Sequence, residues 1–206
     1  MIRRLAILGA SGHGKVVAEI AELCGWDEIH FFDDNWPDVI TNGPWNVLGD
    51  TNSLAKNSDA YNSAIVAIGN NSIRYDKSLY LIAQGFNLAT LIHPLAIVSG
   101  YSEISAGSVV MAGAVINPFA KIGMATIINT SATVDHDCMI EYGVHVSPGV
   151  NIAGAVFVGA LTWLGIGANI KQCVSIGRQV VVGAGSVVVN DISDGLTVVG
   201  VPAKAF

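Results

Sequence analysis

Two of the five histidines in this 206-residue chain lie close together in the sequence, and carboxylates flank one of them. His136 stands between Asp135 and Asp137, and His145 follows nine residues later. Histidine, with an unperturbed pKa of about 6.5, can accept a proton at neutral pH, and an adjacent carboxylate can fix its tautomer and stabilise the imidazolium. The segment is therefore a candidate for acid–base catalysis, although the same residue types could ligate a metal ion or lie on the surface without a function.

The part of the chain that carries these histidines has a period of six residues. From Ile92 to Val188, every sixth residue is Ile, Val or Leu, at all seventeen positions. The residue four places after each of them, from Ala96 to Ser186, is always Ala, Ser, Thr, Cys or Val. Cys138 belongs to this second series, so we interpret it as a small buried residue. Neither an α-helix nor an ordinary alternating strand produces this spacing, whereas stacked coils of short strands do.

Each hexapeptide thus supplies one large and one small inward residue, and glycines recur where the chain must turn. Such repeats predict a parallel β-helix in which each coil covers its neighbour. His136, two residues after Val134, then lies at a turn, and His145 points outward.

The uncharged stretch 142–170 is long enough to suggest a membrane span, but Pro148, Asn151 and its many glycines fit a lipid-facing helix poorly. We interpret it as β-helix surface buried between subunits, because interface cores are depleted of charge.

The first ninety residues form a different module, in which strands alternate with helices. "RRLAILGASGHGKVVAEIAELCG" predicts a strand, a glycine loop and a helix, "EIHFFDD" a second strand, and "SAIVAIGNN" a third strand and turn. This order predicts a small parallel α/β sheet. The loop from Gly9 to Gly14 opens a helix, where backbone N–H groups can hold a phosphate. Its Gly-x-x-Gly-x-Gly spacing is not the dinucleotide fingerprint, so nucleotide binding and a plain tight turn both remain open.

Charge and cysteine usage narrow the class of protein. With a net charge of −6, the chain lacks the excess of basic residues expected in a protein that binds nucleic acid or an anionic membrane, so neither is an expected partner. Cys24, Cys138 and Cys173 are odd in number and scattered, which favours a reducing cytoplasm over a disulfide framework. Glycines interrupt the apolar N-terminus at once, so a signal peptide is not expected.

Taken in order along the chain, these motifs resemble a known family. "GASGHGK", "FFDDN", "AIGNN", "LIHP", the hexapeptides and "VGVPAK" are similar to the bacterial hexapeptide-repeat nucleotide-sugar acetyltransferases, of the sialic-acid O-acetyltransferase-like group, and especially to the N-acetyltransferases of 4-amino-4,6-dideoxy sugars. The resemblance spans essentially the whole chain. It implies a Rossmann-like α/β domain over residues 1–91 that binds the nucleotide-linked sugar. It also implies a left-handed β-helix over residues 92–206 that binds acetyl-CoA, and a homotrimer.

The resemblance also implies roles for individual residues. His136 would be the catalytic base and Asp137 the acid that raises its basicity, although the family has Glu there and Asp135 competes as partner. Gly154, one coil of eighteen residues further on, would stabilise the thioester oxyanion. His145, Gly154, Ile166 and Ala184 would contact acetyl-CoA, with Ala184 where the family often has Gly. The residues that would contact the sugar nucleotide are Ser11, Gly12, His13, Asp33, Asp34 and Gly69.

The expected function is N-acetylation of a nucleotide-linked amino sugar for a bacterial surface glycan or glycoprotein, in the cytoplasm and without a metal ion. Alternatives are O-acetylation of a sugar, a non-catalytic sugar-nucleotide-binding scaffold, and a zinc carbonic anhydrase of the same fold, for which His136 and His145 lack an evident third ligand. The resemblance implies three hexapeptides per coil, so nine residues make half a coil, and one side of the coil spans about 20 Å. We therefore expect one pocket to take His136 from one subunit and His145 from its neighbour.

Overall fold

A computed structural model describes residues 2–206, which divide into two compact units, one that ends at His93 and one that spans 94–206. The predicted fold class is confirmed: a small α/β domain precedes a left-handed parallel β-helix of about six coils. Among residues 2–206, no helix has the length and apolar character that crossing a bilayer requires.

The first unit is built around a three-stranded parallel sheet in which Arg4–Leu8 lies between Glu28–Phe32 and Ser63–Val66. Its elements are β1 Arg4–Leu8, α1 Gly12–Leu23, β2 Glu28–Phe32, β3 Thr41–Asn42, β4 Trp45–Asn46, α2 Thr51–Ala55, a 3-10 turn Ser58–Ala60, β5 Ser63–Val66, α3 Asn71–Ala83 and β6 Leu91–Ile92. The three central strands are almost entirely buried, as expected for a parallel sheet covered by helices. The carboxyl ends of β1, β2 and β5 lead into the glycine loop, Asp33-Asp34 and Gly69, respectively.

The second unit is a triangular solenoid in which two-residue strands pair in parallel with strands eighteen residues away, as Thr133 does with Asn151. Its first face contains Ile97–Val98, Val115–Ile116, Thr133–Val134, Asn151–Ile152, Asn169–Ile170 and Val187–Val188. Its second face contains Glu103–Ile104, Lys121–Ile122, Met139–Ile140, Phe157–Val158 and Ser175–Ile176. Its third face contains Val109–Val110, Ile127–Ile128, His145–Val146, Trp163–Leu164, Val181–Val182 and Thr197–Val199, which Lys204–Ala205 joins in antiparallel orientation.

The six-residue series forms the core of this solenoid. Its members from Val110 to Val188 are all buried, whereas Ile92 at the start of the series is 37% exposed. Cys138 of the small-residue series is buried as expected. The turns use the left-handed backbone region, at glycines such as Gly143 but also at bulkier residues such as Asp137 and Phe119. Non-glycine residues adopt this backbone region at an energetic cost, and Asp137 is one of them.

Candidate functional site

The corner that follows the first face carries the candidate acid–base residues. Strand Thr133–Val134 ends immediately before Asp135, so residues 135–137 form the turn into the second face. The equivalent turn of the next coil is 153–155, and the Ala155 N–H donates to the His136 carbonyl at 2.9 Å. This stacking places Gly154 directly over His136, in the arrangement that the eighteen-residue period predicts. We call residues 135–137 and 153–155 the catalytic corner.

His136 and Asp137 form a hydrogen-bonded pair in this corner. Asp137 Oδ2 lies 2.7 Å from His136 Nδ1. A carboxylate oxygen can only accept, so Nδ1 carries the proton and Nε2 keeps the lone pair of a base. Asp137 has a left-handed backbone, with φ of 59°, and its side chain reaches the ring of the preceding residue although it is shorter than Glu.

The charge around His136 makes it a stronger base. The hydrogen bond that His136 donates to Asp137 raises the pKa of His136 above its ordinary value, and the negative charge of Asp135 adds to the effect. Asp135 does not compete for the ring, because its Oδ1 accepts the backbone N–H of His136 at 2.8 Å. The two carboxylates thus have different positions, one on the ring and one on the backbone of the same residue.

Gly154 allows the imidazole to approach the backbone closely. A Cβ built at this position would lie 2.7 Å from both Cε1 and Nε2 of His136, which is closer than real carbon atoms pack. Among residues 2–206 the Gly154 N–H has no backbone acceptor, while its carbonyl accepts the Cys173 N–H at 3.0 Å. The corner therefore combines a proton acceptor with an uncommitted peptide donor, the pair that acyl transfer requires.

The residues predicted to contact acetyl-CoA separate into two places on one chain. His145, Ile166 and Ala184 line one apolar groove of about 430 Å³ on the third face, whereas Gly154 lies at the catalytic corner. In the groove, the His145 ring stacks on Trp163 at 5.3 Å, and Nε2 of His145 lies 3.3 Å from the amide nitrogen of Asn129. Within a single chain, His136 and His145 thus belong to different sides of the triangle.

Sequence reasoning missed Trp163. It follows His145 by eighteen residues on the third face, and its indole N–H donates to Ser147 Oγ at 2.8 Å. The six-residue period could have identified it. The period places Trp163 on the outside of the solenoid, one coil above the candidate ligand-binding histidine, and a large aromatic side chain is unusual at an exposed position.

In the first unit, the glycine loop is packed against the sheet. Gly14 has no room for a side chain, since a Cβ there would lie 2.4 Å from the Gly9 carbonyl oxygen. By contrast, Gly12 and Gly69 have open space where a side chain would be. Ser11 is the exposed N-cap residue of α1, and its side chain makes no capping bond. The N–H groups of the first helical turn thus remain available for an anion.

His13 follows in this loop and is neutral. Burial, together with the positive charge of Arg74, lowers the pKa of His13 to about 4. Its Nε2 is buried and has no hydrogen-bond partner in residues 2–206. Arg74 is itself buried and holds the turn after β5, because it donates to the Ile68 and Gly69 carbonyls at 3.0 and 3.1 Å. A buried, unsatisfied ring nitrogen beside a fixed cation is an unusual feature that a polar ligand could satisfy.

The two aspartates after β2 differ in their contacts. Asp33 holds the backbone, because Oδ2 accepts the Ala10 N–H at 2.7 Å and Oδ1 accepts the Asn35 N–H at 2.9 Å. Asp34 contacts Lys77 at 2.8 Å and accepts the Thr51 N–H at 3.0 Å.

Burial alone would raise the pKa of Asp34, but these hydrogen bonds outweigh it and lower the pKa to about 2. Asp34 and Lys77 help to line a cavity of about 710 Å³ in the first unit, so Asp34 can face a ligand while Asp33 positions the loop.

Among residues 2–206, no group of three or more His, Cys, Asp or Glu side chains is arranged to hold a metal ion.

Comparisons with known proteins match both units. The model of the PglD N-terminal domain family matches residues 4–78. The acetyltransferase domain of PglB from Neisseria gonorrhoeae, solved in complex with acetyl coenzyme A, is 43% identical, with a TM-score of 0.96 and 100% of both chains covered.

Two further solved structures are similar over nearly the whole chain. Perosamine N-acetyltransferase from Caulobacter crescentus, solved with CoA and GDP-perosamine, is 38% identical, with a TM-score of 0.95 and coverage of 100% of this chain and 98% of that one. WeeI from Acinetobacter baumannii is 27% identical, with a TM-score of 0.91 and coverage of 99% and 100%.

Proposed function

This chain belongs to the hexapeptide-repeat nucleotide-sugar acetyltransferases, and we propose that it moves the acetyl group of acetyl-CoA to the amino group of a nucleotide-linked 4-amino-4,6-dideoxy sugar. The observation that carries the proposal is the His136–Asp137 pair, whose free Nε2 faces the backbone of Gly154. The relative solved with acetyl coenzyme A and the one solved with GDP-perosamine support the two substrate classes.

The catalytic corner can perform the proton transfer. When the sugar amine attacks the thioester carbonyl, its nitrogen gains a positive charge and must lose a proton. His136 Nε2 accepts that proton, and Asp137 stabilises the resulting imidazolium through Nδ1. The Gly154 N–H donates to the carbonyl oxygen as it becomes negative, and the proton held by His136 can then pass to the departing CoA thiolate.

The groove on the third face suits the apolar arm of acetyl-CoA. His145, Trp163, Ile166 and Ala184 line it, and its exposed lining is mostly apolar. A stacked histidine–tryptophan pair offers a flat surface to a flexible chain. We assign this groove to the donor, with backbone rather than side-chain contact at Ala184.

The first unit suits the sugar nucleotide. Ser11, Gly12 and His13 would present the start of α1 to the diphosphate. Asp34 lines the cavity of the first unit, and Gly69 has open space where a side chain would be, so we assign both to the sugar nucleotide as well. Neutral His13 can donate to or accept from a phosphate or sugar oxygen through its buried Nε2. We assign Asp33 an indirect part, because its Oδ2 holds the Ala10 backbone of the glycine loop while its Oδ1 holds Asn35 in its own turn.

The complete site is proposed to form between subunits of a homotrimer. His136 and His145 lie on different sides of one chain, so a pocket that uses both takes them from neighbouring subunits. The stretch 142–170 contains no charged residue, which is consistent with burial against a second copy. We place the enzyme in the cytoplasm, where acetyl-CoA is available, in the synthesis of a surface polysaccharide or glycoprotein glycan.

The proposal is tested by turnover with acetyl-CoA and a panel of UDP-, dTDP- and GDP-linked 4-amino sugars, read as release of free thiol. We expect one 4-amino sugar to support turnover and its 4-hydroxy analogue to support far less. His136→Asn should abolish most of this activity while leaving the oligomeric state unchanged. Equal rates with the amine and the hydroxyl analogue would instead favour O-acetylation, and full activity of His136→Asn would contradict the proposed base.

A further inference from the structure

One coil below the catalytic corner, Asn117 reaches the carboxylate of Asp135. The Nδ2 atom of Asn117 lies 2.8 Å from Oδ1 of Asp135, across the eighteen-residue step between neighbouring coils. The same Oδ1 accepts the backbone N–H of His136, also at 2.8 Å. One oxygen therefore receives two donors, one from the coil below and one from the residue that bears the catalytic imidazole.

This contact fixes both the backbone and the charge next to His136. The Asn117 backbone N–H donates to the Val134 carbonyl at 3.0 Å, so Asn117 is itself held in the first face. The hydrogen bond from the His136 backbone and the one from Asn117 lower the pKa of Asp135, which keeps the carboxylate ionised. A half-buried side chain is thereby held at one orientation.

Besides the carboxylates, Cys138 is a titratable group packed at this corner: its buried thiol donates to the Ala153 carbonyl at 3.2 Å, and burial raises its pKa, so it is uncharged. His136 meets Asp135 and Asp137 on its own turn, Pro118 and Phe119 below, and the turn 153–155 above, whose residues are Ala, Gly and Ala. The charges that raise the pKa of the imidazole thus come from two carboxylates, and each has its own anchor. Asp137 is anchored by the ring, and Asp135 by Asn117.

We propose that Asn117 is a positioning residue that acts on His136 through Asp135. By holding Asp135, Asn117 keeps a second negative charge beside the imidazole and fixes the backbone from which the imidazole projects. The catalytic unit is therefore a relay across two coils, from Asn117 to Asp135 to His136. Its kinetic consequence rests on the proposed function, but its effect on the imidazole does not.

The test is a double-mutant cycle with Asn117→Ala, Asp135→Asn and the two changes together. The pKa of His136 is measured by NMR titration of the histidine ring protons in the intact protein, whose five histidines allow assignment by single substitution. We expect Asn117→Ala to lower the pKa of His136 by several tenths of a pH unit, on the order of the loss of a weak charge interaction. Asp135→Asn should lower it further, and the double variant should match Asp135→Asn alone.

Asn169→Ala is the matched control. Asn169 is also an amide on the first face, but it bonds to the Gly167 carbonyl and to Asn151 rather than to a carboxylate. It should leave the pKa of His136 unchanged. Circular dichroism and the oligomeric state confirm that each variant is folded before it is titrated.

Turnover gives an independent readout. Asn117→Ala should reduce kcat about five- to tenfold, with little change in KM for acetyl-CoA, and the acid limb of the pH–rate profile should move to lower pH. An unchanged pKa of His136 in Asn117→Ala, or equal and additive losses in the double variant, would overturn the proposal. A pKa shift without any acetyl transfer by the parent protein would instead sustain the relay and overturn the proposed function.

Discussion

Replacing Gly154 with alanine should displace the catalytic imidazole with little other damage. The added Cβ would lie 2.7 Å from His136 Cε1 and Nε2. Carbon atoms normally pack at about 3.5–4.0 Å, so the ring must retreat by about 1 Å. The 2.7 Å bond to Asp137 limits that movement, and the ring can yield only by loosening the pair. A misplacement of about 1 Å can cost about 100-fold in rate, so we expect a loss of that order in kcat.

The backbone of Gly154 does not have a positive φ, so alanine itself is tolerated there and the loss must come from the ring contact. Gly100 is the matched control, because it occupies the same corner position two coils below His136 and has open space around its missing Cβ. Thiol release should be nearly unchanged in Gly100→Ala. Equal activities of the two alanine variants would refute the reasoning that Gly154 supports the imidazole.

Three further perturbations have distinct signatures. Asp137→Asn should lower the pKa of His136, so the acid limb of the pH–rate profile should move to lower pH. The kcat should also fall about 100-fold, because the amide no longer fixes the correct tautomer of the imidazole. An acid limb that does not move would contradict this. Trp163→Ala should raise KM for acetyl-CoA about tenfold and alter kcat little, and an unchanged KM in steady-state kinetics would remove Trp163 from the donor groove. Because the pKa of buried His13 is lowered to about 4, the unfolded chain binds its proton more readily, and stability should fall as pH decreases from about 6.5 towards 4, by up to about 3 kcal/mol. His13→Gln should flatten that part of the denaturation profile, and a slope equal to that of the parent would show that His13 titrates normally in the folded state.

The fold could be predicted from the sequence because the repeating structure of a solenoid requires inward residues at a regular spacing. The inward series at every sixth residue determines the faces, and eighteen residues per coil places Gly154 over His136 without any knowledge of tertiary contacts. The hand of the winding is different in kind. It is absent from the pattern of large and small residues, and only the resemblance to a family implied it.

The details of the site depended on backbone conformations and pairings that no local rule specifies. The sequence alone left Asp135 and Asp137 as competing partners of His136. Their contacts decide between them, because Asp135 Oδ1 is held by the Asn117 amide of the coil below, whereas Asp137 Oδ2 lies 2.7 Å from Nδ1. Likewise, nothing in "FFDDN" distinguishes Asp33 from Asp34, yet one holds the Ala10 backbone and the other reaches Lys77. Contacts between distant segments made both distinctions.

The central claim is that His136 of one subunit and the donor groove of its neighbour form one catalyst, and coexpression of two inactive variants tests it most directly. His136→Asn and His145→Ala subunits, made in equal amounts, should assemble at random, so that roughly three quarters of the trimers are mixed and each mixed trimer has one site with both histidines intact. The account predicts recovery of about a quarter of the parental turnover. Turnover no greater than the mean of the His136→Asn and His145→Ala proteins assayed alone would show that both histidines act within one chain and would contradict the account.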